Sequence, residues 1–170
     1  ENELVDPNYQ TSWGLYDDSL LEIAKQKFLQ LGNKGEPFGF FALTLDTHHP
    51  YGHPSASCDG LKYGSVDNSI LDAVVCSDYL LADFIQFVRD SEYGERTIIV
   101  LASDHLAMRN AAYYLLNDPE EDRRNLFLIF DPRLFFGRLF GTFGNPNYLA
   151  AFLIAALPFY ILFWSGKKKL

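Results

Sequence analysis

The sequence predicts an α/β fold. Three observations predict it: two short apolar runs, at residues 38–45 and 97–102, each stop abruptly at a histidine-bearing polar turn, and the segment between them carries apolar residues at helical spacing. Uninterrupted apolar runs of this length, rich in aromatic or β-branched residues, read as buried strands, and a period of 3.6 reads as a helix covering them. Strand, loop, helix and strand make a unit whose crossover is expected to be right-handed. Ligands of open α/β sheets collect outside the carboxyl ends of strands. Both polar turns are therefore expected on one rim if the strands are parallel neighbours.

The elements follow in order. Thr11-Ser12-Trp13-Gly14-Leu15-Tyr16-Asp17-Asp18 forms an irregular lead-in whose acidic residues can cap a helix. Leu20, Leu21, Ala24, Phe28 and Leu31 mark one face of that helix, and Gly32 falls at its C′ position. Trp13 is expected to pack on this helix, with a cleft-lining role as the alternative. The first apolar run then ends in Asp46-Thr47-His48-His49-Pro50-Tyr51. Residues 52–68, rich in Gly, Pro, Ser and Asp, read as a long loop over the rim. Ile70, Ala73, Val74, Leu80, Leu81, Phe84, Ile85 and Val88 trace an amphipathic helix ending near Arg89. Beyond the second run, residues 107–116 are expected to be helical, 118–122 an acidic turn, and 125–130 a third apolar run.

Composition narrows the function classes. The chain has 170 residues, the size of one ordinary domain, and is 48% apolar and 16% aromatic. Net charge is −8; Arg133, Arg138, Lys167, Lys168 and Lys169 against Asp131 leave residues 131–170 at +4 and residues 1–130 at −12. So acidic a front portion argues against nucleic acid, which rewards clustered Lys and Arg, although a solvated surface with no partner gives the same pattern. Glu1-Asn2-Glu3-Leu4 lacks the basic and apolar regions of a signal peptide, and the chain reads as cut from something longer. Cys58 and Cys76 match neither a zinc pattern nor a CxxC redox pair. A loop-closing disulfide and two unrelated thiols both fit that spacing.

The two polar turns carry the candidate chemistry. Asp104 and His105 offer a carboxylate oxygen and an imidazole nitrogen, donors that suit a hard or borderline divalent cation. The alternative is an Asp N-cap with a surface histidine beside it. His48 and His49 add imidazoles on the other turn, unless they only punctuate a Pro-terminated loop.

Three ordered motifs carry a resemblance: Trp13-Gly14-x-Tyr16-Asp17-Asp18, Thr44-x-Asp46-Thr47-His48-His49-Pro50 and Ser103-Asp104-His105-Leu106-Ala107-Met108. In order and spacing, residues 9–130 resemble the phosphoglycerol transferases of the lipoteichoic-acid-synthase-like branch of the alkaline phosphatase/sulfatase superfamily. The resemblance implies a partial alkaline-phosphatase/sulfatase-like sheet with flanking helices over residues 1–130. It implies that Asp104 and His105 hold a divalent metal, manganese foremost with magnesium as an alternative, and that His48, and less strongly His49, contacts the phosphoglycerol or leaving group. It also places Cys58 and Cys76 where that family has cysteines, which favours the disulfide. The implied reaction moves a glycerophosphoryl group from phosphatidylglycerol, through a phospho-threonine, to a periplasmic glucan. A metal would neutralise phosphoryl charge, and a histidine could protonate the departing glycerolipid oxygen.

The family's nucleophilic Thr and metal-binding Glu lie on segments upstream of anything matched here, so the chain by itself is expected to be inactive. A sulfatase-like or phosphodiesterase hydrolase, which passes its intermediate to water, and a non-catalytic membrane-anchored domain are the alternatives. A glucan-stimulated rate separates transferase from hydrolase, and metal binding lost in Asp104→Ala separates either from the inert domain.

Residues 131–147 read as a linker. Residues 148–164 then carry no charge over seventeen positions, just short of the ~20 that span a bilayer core. Flanking aromatics and the Lys cluster suit an interfacial belt and a cytoplasmic end, and Pro158 is tolerable in a membrane helix. Residues 148–170 are expected to form a transmembrane helix, with a buried helix of a soluble protein as the alternative. Gly141-Thr142-Phe143-Gly144-Asn145-Pro146-Asn147-Tyr148-Leu149-Ala150 resembles the O-antigen ligase/polymerase family of membrane proteins rather than the transferases. Truncation, fusion and the joining of two genes all fit this change. Both halves agree with a bacterial inner-membrane protein whose acidic domain is periplasmic and whose Lys-rich end is cytoplasmic.

Overall fold

The computed structural model describes residues 6–115 and 124–132. A two-stranded antiparallel hairpin, β1 (Gln10–Thr11) and β2 (Gly14–Leu15), leads directly into helix α1 (Asp17–Gly32). A long connection with one 3₁₀ turn at Ala56–Cys58 reaches helix α2 (Ser69–Asp90). A second 3₁₀ turn at Gly94–Arg96 precedes strand β3 (Ile99–Ala102), which pairs antiparallel with β4 (Phe127–Phe130).

The helices form where the apolar spacing places them and pack on each other, but Val74, expected on the apolar face of α2, is 48% exposed because that part of the helix has no neighbour over it. Leu21, Ala24 and Phe28 of α1 and Ile70, Ala73, Cys76 and Val88 of α2 are buried. Phe28, Val88 and Tyr93 form the core cluster, with Leu29, Phe84, Phe87 and Ile99 against it. Each large apolar side chain so buried contributes about 1.5–3 kcal/mol. Edge-to-face contacts of Phe28 with Phe38 (5.8 Å) and Tyr93 (6.0 Å) set the ring geometry there. Cys58 and Cys76 are bonded, their Cα atoms 5.6 Å apart, so the loop is stapled to the middle of α2.

Several expectations need correction. Residues 38–45 form no strand and join no ladder among the described residues, and Phe41 is 95% exposed. A strand exists only through a neighbour that takes its backbone groups, and β3 is paired instead with β4, in antiparallel register from Ile99↔Phe130 to Ala102↔Phe127. The parallel pair with both turns on one rim is therefore not formed within the described residues. Residues 107–112 are not helical, and only a 3₁₀ turn at Tyr113–Leu115 follows. Gly32 is the last residue of α1 rather than C′, and Asn33 is the C-cap. No helix among the described residues is long and apolar enough to cross a membrane. The expected linker beyond Pro132, the acidic turn at 118–122 and the membrane helix at 148–170 lie outside the described residues.

Candidate active site

The first polar turn is built on a buried carboxylate pair. Asp17 and Asp46 are both fully buried. Asp46 Oδ1 accepts the Asp17 N–H (3.0 Å), and Asp46 Oδ2 accepts the Ser55 hydroxyl at 2.5 Å. Asp17 Oδ1 accepts the Leu45 N–H (2.6 Å) and Oδ2 the Ser77 hydroxyl (2.9 Å). The helix is therefore capped from across the chain, by Asp46, and not by the lead-in side chains; its N-cap residue, Tyr16, makes no side-chain cap. Burial pushes the Asp46 carboxyl up to about 6, against the Ser55 hydroxyl, which favours the anion; the neighbouring Asp17 charge pushes it further up.

Above this base the chain turns sharply. The His48 N–H donates to Leu45 O (2.9 Å), Gly52 N–H to His48 O (3.0 Å) and His53 N–H to Asp46 O (2.6 Å). Gly52 adopts φ +70°, and a Cβ there would stand 2.8 Å from that of Ala73, so the turn sits directly on α2. The turn stacks its two imidazoles, His48 on His49, with centroids 4.6 Å apart. Trp13 covers His48 at 4.1 Å and is 59% exposed. The ring contact recorded for Trp13 is with the histidine turn.

Both histidines of interest are held in one tautomer. His48 Nδ1 lies 2.7 Å from His49 O, and His105 Nδ1 lies 2.7 Å from Leu106 O. A carbonyl only accepts, so Nδ1 carries a proton in each. His48 Nε2 has no hydrogen-bond partner among the described residues. Such an imidazole can take up a proton at Nε2 and deliver it.

The second turn is exposed. His105 Nε2 lies 3.5 Å from Asp104 Oδ2, and the His105 N–H donates to Asp104 Oδ1 at 2.9 Å. Two donors about 2.1 Å from one tetrahedral ion sit roughly 3.4 Å apart, so the pair suits two positions of a coordination sphere. No group of three or more His, Cys, Asp or Glu among the described residues could hold a metal. The residues present thus do not complete a metal site, and no chemical step is routed through one.

The segment that follows the second turn reaches the first turn and the start of α2. The Ala111 N–H donates to Pro50 O (2.8 Å), and Asn68 at the start of α2 donates from Nδ2 to Ala111 O (3.1 Å). Reading the sequence missed this tie, as it missed Asp17, Asp46, Ser55 and Ser77. Asp46 stands inside the His48 motif, which was signal enough to place it at the turn but not to bury it.

Comparison with known proteins identifies the family. The sulfatase family profile matches residues 1–135. Phosphoglycerol transferase I of Citrobacter koseri is 42% identical over 128 residues, covering 74% of this chain and 16% of that protein. Phosphoglycerol transferase I of Escherichia coli is 43% identical over the same length and coverage. A crystal structure of a protein in the alkaline phosphatase superfamily from Vibrio parahaemolyticus superposes with TM-score 0.57 at 28% identity, over 78% of this chain and 32% of that one. The chain spans about 16% of the length of the curated relatives it matches.

Proposed function

The chain belongs to the sulfatase family, and on that premise we propose that residues 1–130 are the part of a phosphoglycerol transferase that carries its acid–base histidine and two of its metal ligands. The reading rests on one observation above the rest. His48 stands in ring contact with Trp13 and is held by its Nδ1 bond to His49 O, with Nε2 unpartnered among the described residues. In the reaction proposed, the threonine hydroxyl that the resemblance places upstream of this segment forms a bond to phosphorus and gives up its proton to a base, the bond between phosphorus and the diacylglycerol oxygen of phosphatidylglycerol breaks, and His48, protonated at Nε2 as well as Nδ1, delivers the Nε2 proton to that oxygen as it leaves. His49, stacked behind, supports the ring. Asp104 and His105 contribute two ligands to a divalent cation, manganese in the first instance. The final acceptor is a periplasmic glucan.

A bonded Cys58–Cys76 pair supports an oxidising compartment, which agrees with a periplasmic domain at the bacterial inner membrane, anchored through residues 148–170. With two metal donors among the described residues, residues 1–170 alone are inactive in this proposal.

The test is a graft. Residues 10–130 replace the matching segment of the Escherichia coli transferase, and transfer from phosphatidylglycerol to glucan is measured. The graft is expected to be active and to lose roughly 10²-fold or more with His48→Ala, in line with general acid catalysis, and at least as much with Asp104→Ala. A graft whose rate ignores both substitutions overturns the proposal. A rate indifferent to glucan assigns the site to a hydrolase instead.

A further inference from the structure

The hairpin ahead of α1 holds a single side chain in place. The Thr11 hydroxyl oxygen accepts from both the Trp13 and Gly14 N–H groups (3.1 Å each) while the hydroxyl donates to Gly14 O (3.1 Å). The ladder pairs Thr11 with Gly14 and Gln10 with Leu15, leaving Ser12 and Trp13 as the two-residue tip. Gly14 adopts φ +147°, and a Cβ there would meet Leu45 Cδ1 at 3.0 Å. Leu45 O is in turn the acceptor of the His48 N–H, at 2.9 Å. The hairpin that presents the indole and the turn that presents the imidazole therefore meet at one residue.

Trp13 is more than half exposed yet in ring contact with His48, centroids 4.1 Å apart and planes inclined at 31°. An aromatic side chain added for stability would be buried; this one loses most of its possible burial and covers one face of one imidazole. The Nδ1 bond to His49 O fixes the tautomer of His48 but leaves rotation about that bond, and a flat ring against the free face removes it.

From this juxtaposition we propose that Trp13 is a positioning residue for His48, fixing the plane of the imidazole so that Nε2 keeps one direction towards the reacting oxygen. The inference rests on the reading of His48 as proton donor given above. Trp13 itself does not touch the reacting atoms in this scheme. Its action is preorganisation, and misplacement of a catalytic group by about 1 Å costs up to roughly 10²-fold in rate.

The test has two arms. In the full chain, the ring-current field of the indole is read from the His48 Cε1 and Cδ2 protons by NMR, against His53 as internal reference. Trp13→Leu is expected to move the His48 resonances downfield by several tenths of a part per million and leave those of His53 in place. Trp13→Phe, which keeps a flat ring, restores most of the shift. In the grafted enzyme, Trp13→Leu lowers kcat roughly tenfold or more, with KM for phosphatidylglycerol nearly unchanged, and Trp13→Phe recovers most of the rate. Unmoved His48 resonances in Trp13→Leu overturn the inference. So does an unchanged kcat in Trp13→Leu when His48→Ala abolishes turnover. Full turnover in His48→Ala removes the functional reading itself, and the inference with it.

Discussion

Asp17 and Asp46 cap each other's chain: the Asp46 carboxylate accepts the Asp17 N–H at 3.0 Å, and the Asp17 carboxylate accepts the Leu45 N–H at 2.6 Å. The exchange joins the first turn of α1 to the base of the histidine turn, and Ser55 and Ser77 satisfy the remaining oxygens. Two carboxylates buried side by side repel, and the fold tolerates them because every oxygen has a donor.

That pair makes stability depend on pH in a defined direction. The folded-state value for Asp46, about 6, lies above that of the unfolded chain, so the folded protein holds the proton more tightly. Its contribution is fully present below about pH 4 and is lost as pH rises through about 6, a change on the order of 2–3 kcal/mol. Urea midpoints between pH 4 and 7 are expected to show this descending component, and Asp46→Asn to flatten it. An unchanged slope in the variant would falsify the assignment.

The disulfide constrains the loop between the histidine turn and α2. Closing 18 residues of chain between Cys58 and Cys76 is worth about 3 kcal/mol of unfolded-state entropy. Reduction, or Cys58→Ala with Cys76→Ala, is expected to lower the melting temperature by several degrees. Equal melting curves with and without dithiothreitol would show that the loop holds itself.

Two glycines at the helix ends differ in what they can yield. A Cβ on Gly94 would stand 2.2 Å from the Arg89 carbonyl oxygen, and one on Gly32 would stand 2.5 Å from the Tyr93 ring. Backbone cannot step aside as a ring can, although Tyr93 is itself held by a 2.6 Å bond from its hydroxyl to Asn33. Gly94→Ala is therefore expected to cost more than Gly32→Ala, with overpacking penalties of about 1–3 kcal/mol as the scale. Chemical denaturation of both variants checks the order.

The unpaired segment at 38–45 leaves Phe41 95% and Leu43 66% exposed. An unpaired apolar edge associates readily with other chains. Phe41→Asp with Leu43→Lys is expected to shift stability by only about 0.5 kcal/mol per site while reducing self-association in light scattering. A large loss of stability would mean that the segment is packed, not exposed.

How much was legible follows from the range of the interactions concerned. Helical spacing placed Leu21, Ala24 and Phe28, and Ile70, Ala73 and Val88, on buried faces, because a period along one helix is a local property. The apolar run at 38–45 misled for the opposite reason. Its composition suits a strand, but a ladder needs a partner, and among the described residues the second run took β4. The composition of residues 107–116 suits a helix, yet Ala111 gives its N–H to Pro50 O in a distant segment. The two histidine turns were evident as polar endings of apolar runs; Trp13 against His48 was not, since it depends on a hairpin meeting a turn at Leu45.

The sequence by itself determined the two helices, the candidate residues His48, His49, Asp104 and His105, and a resemblance to the alkaline phosphatase/sulfatase superfamily, because periodicity and short motifs are written in consecutive residues. Only the tertiary structure decided that Asp46 caps α1 from another segment, that Trp13 stands in ring contact with His48, and that Asp104 and His105 stand as a pair with no third metal ligand among the described residues. Each of these is a contact between segments far apart in the chain. Its geometry is fixed by packing, hydrogen bonding and burial acting at once, which no local pattern encodes.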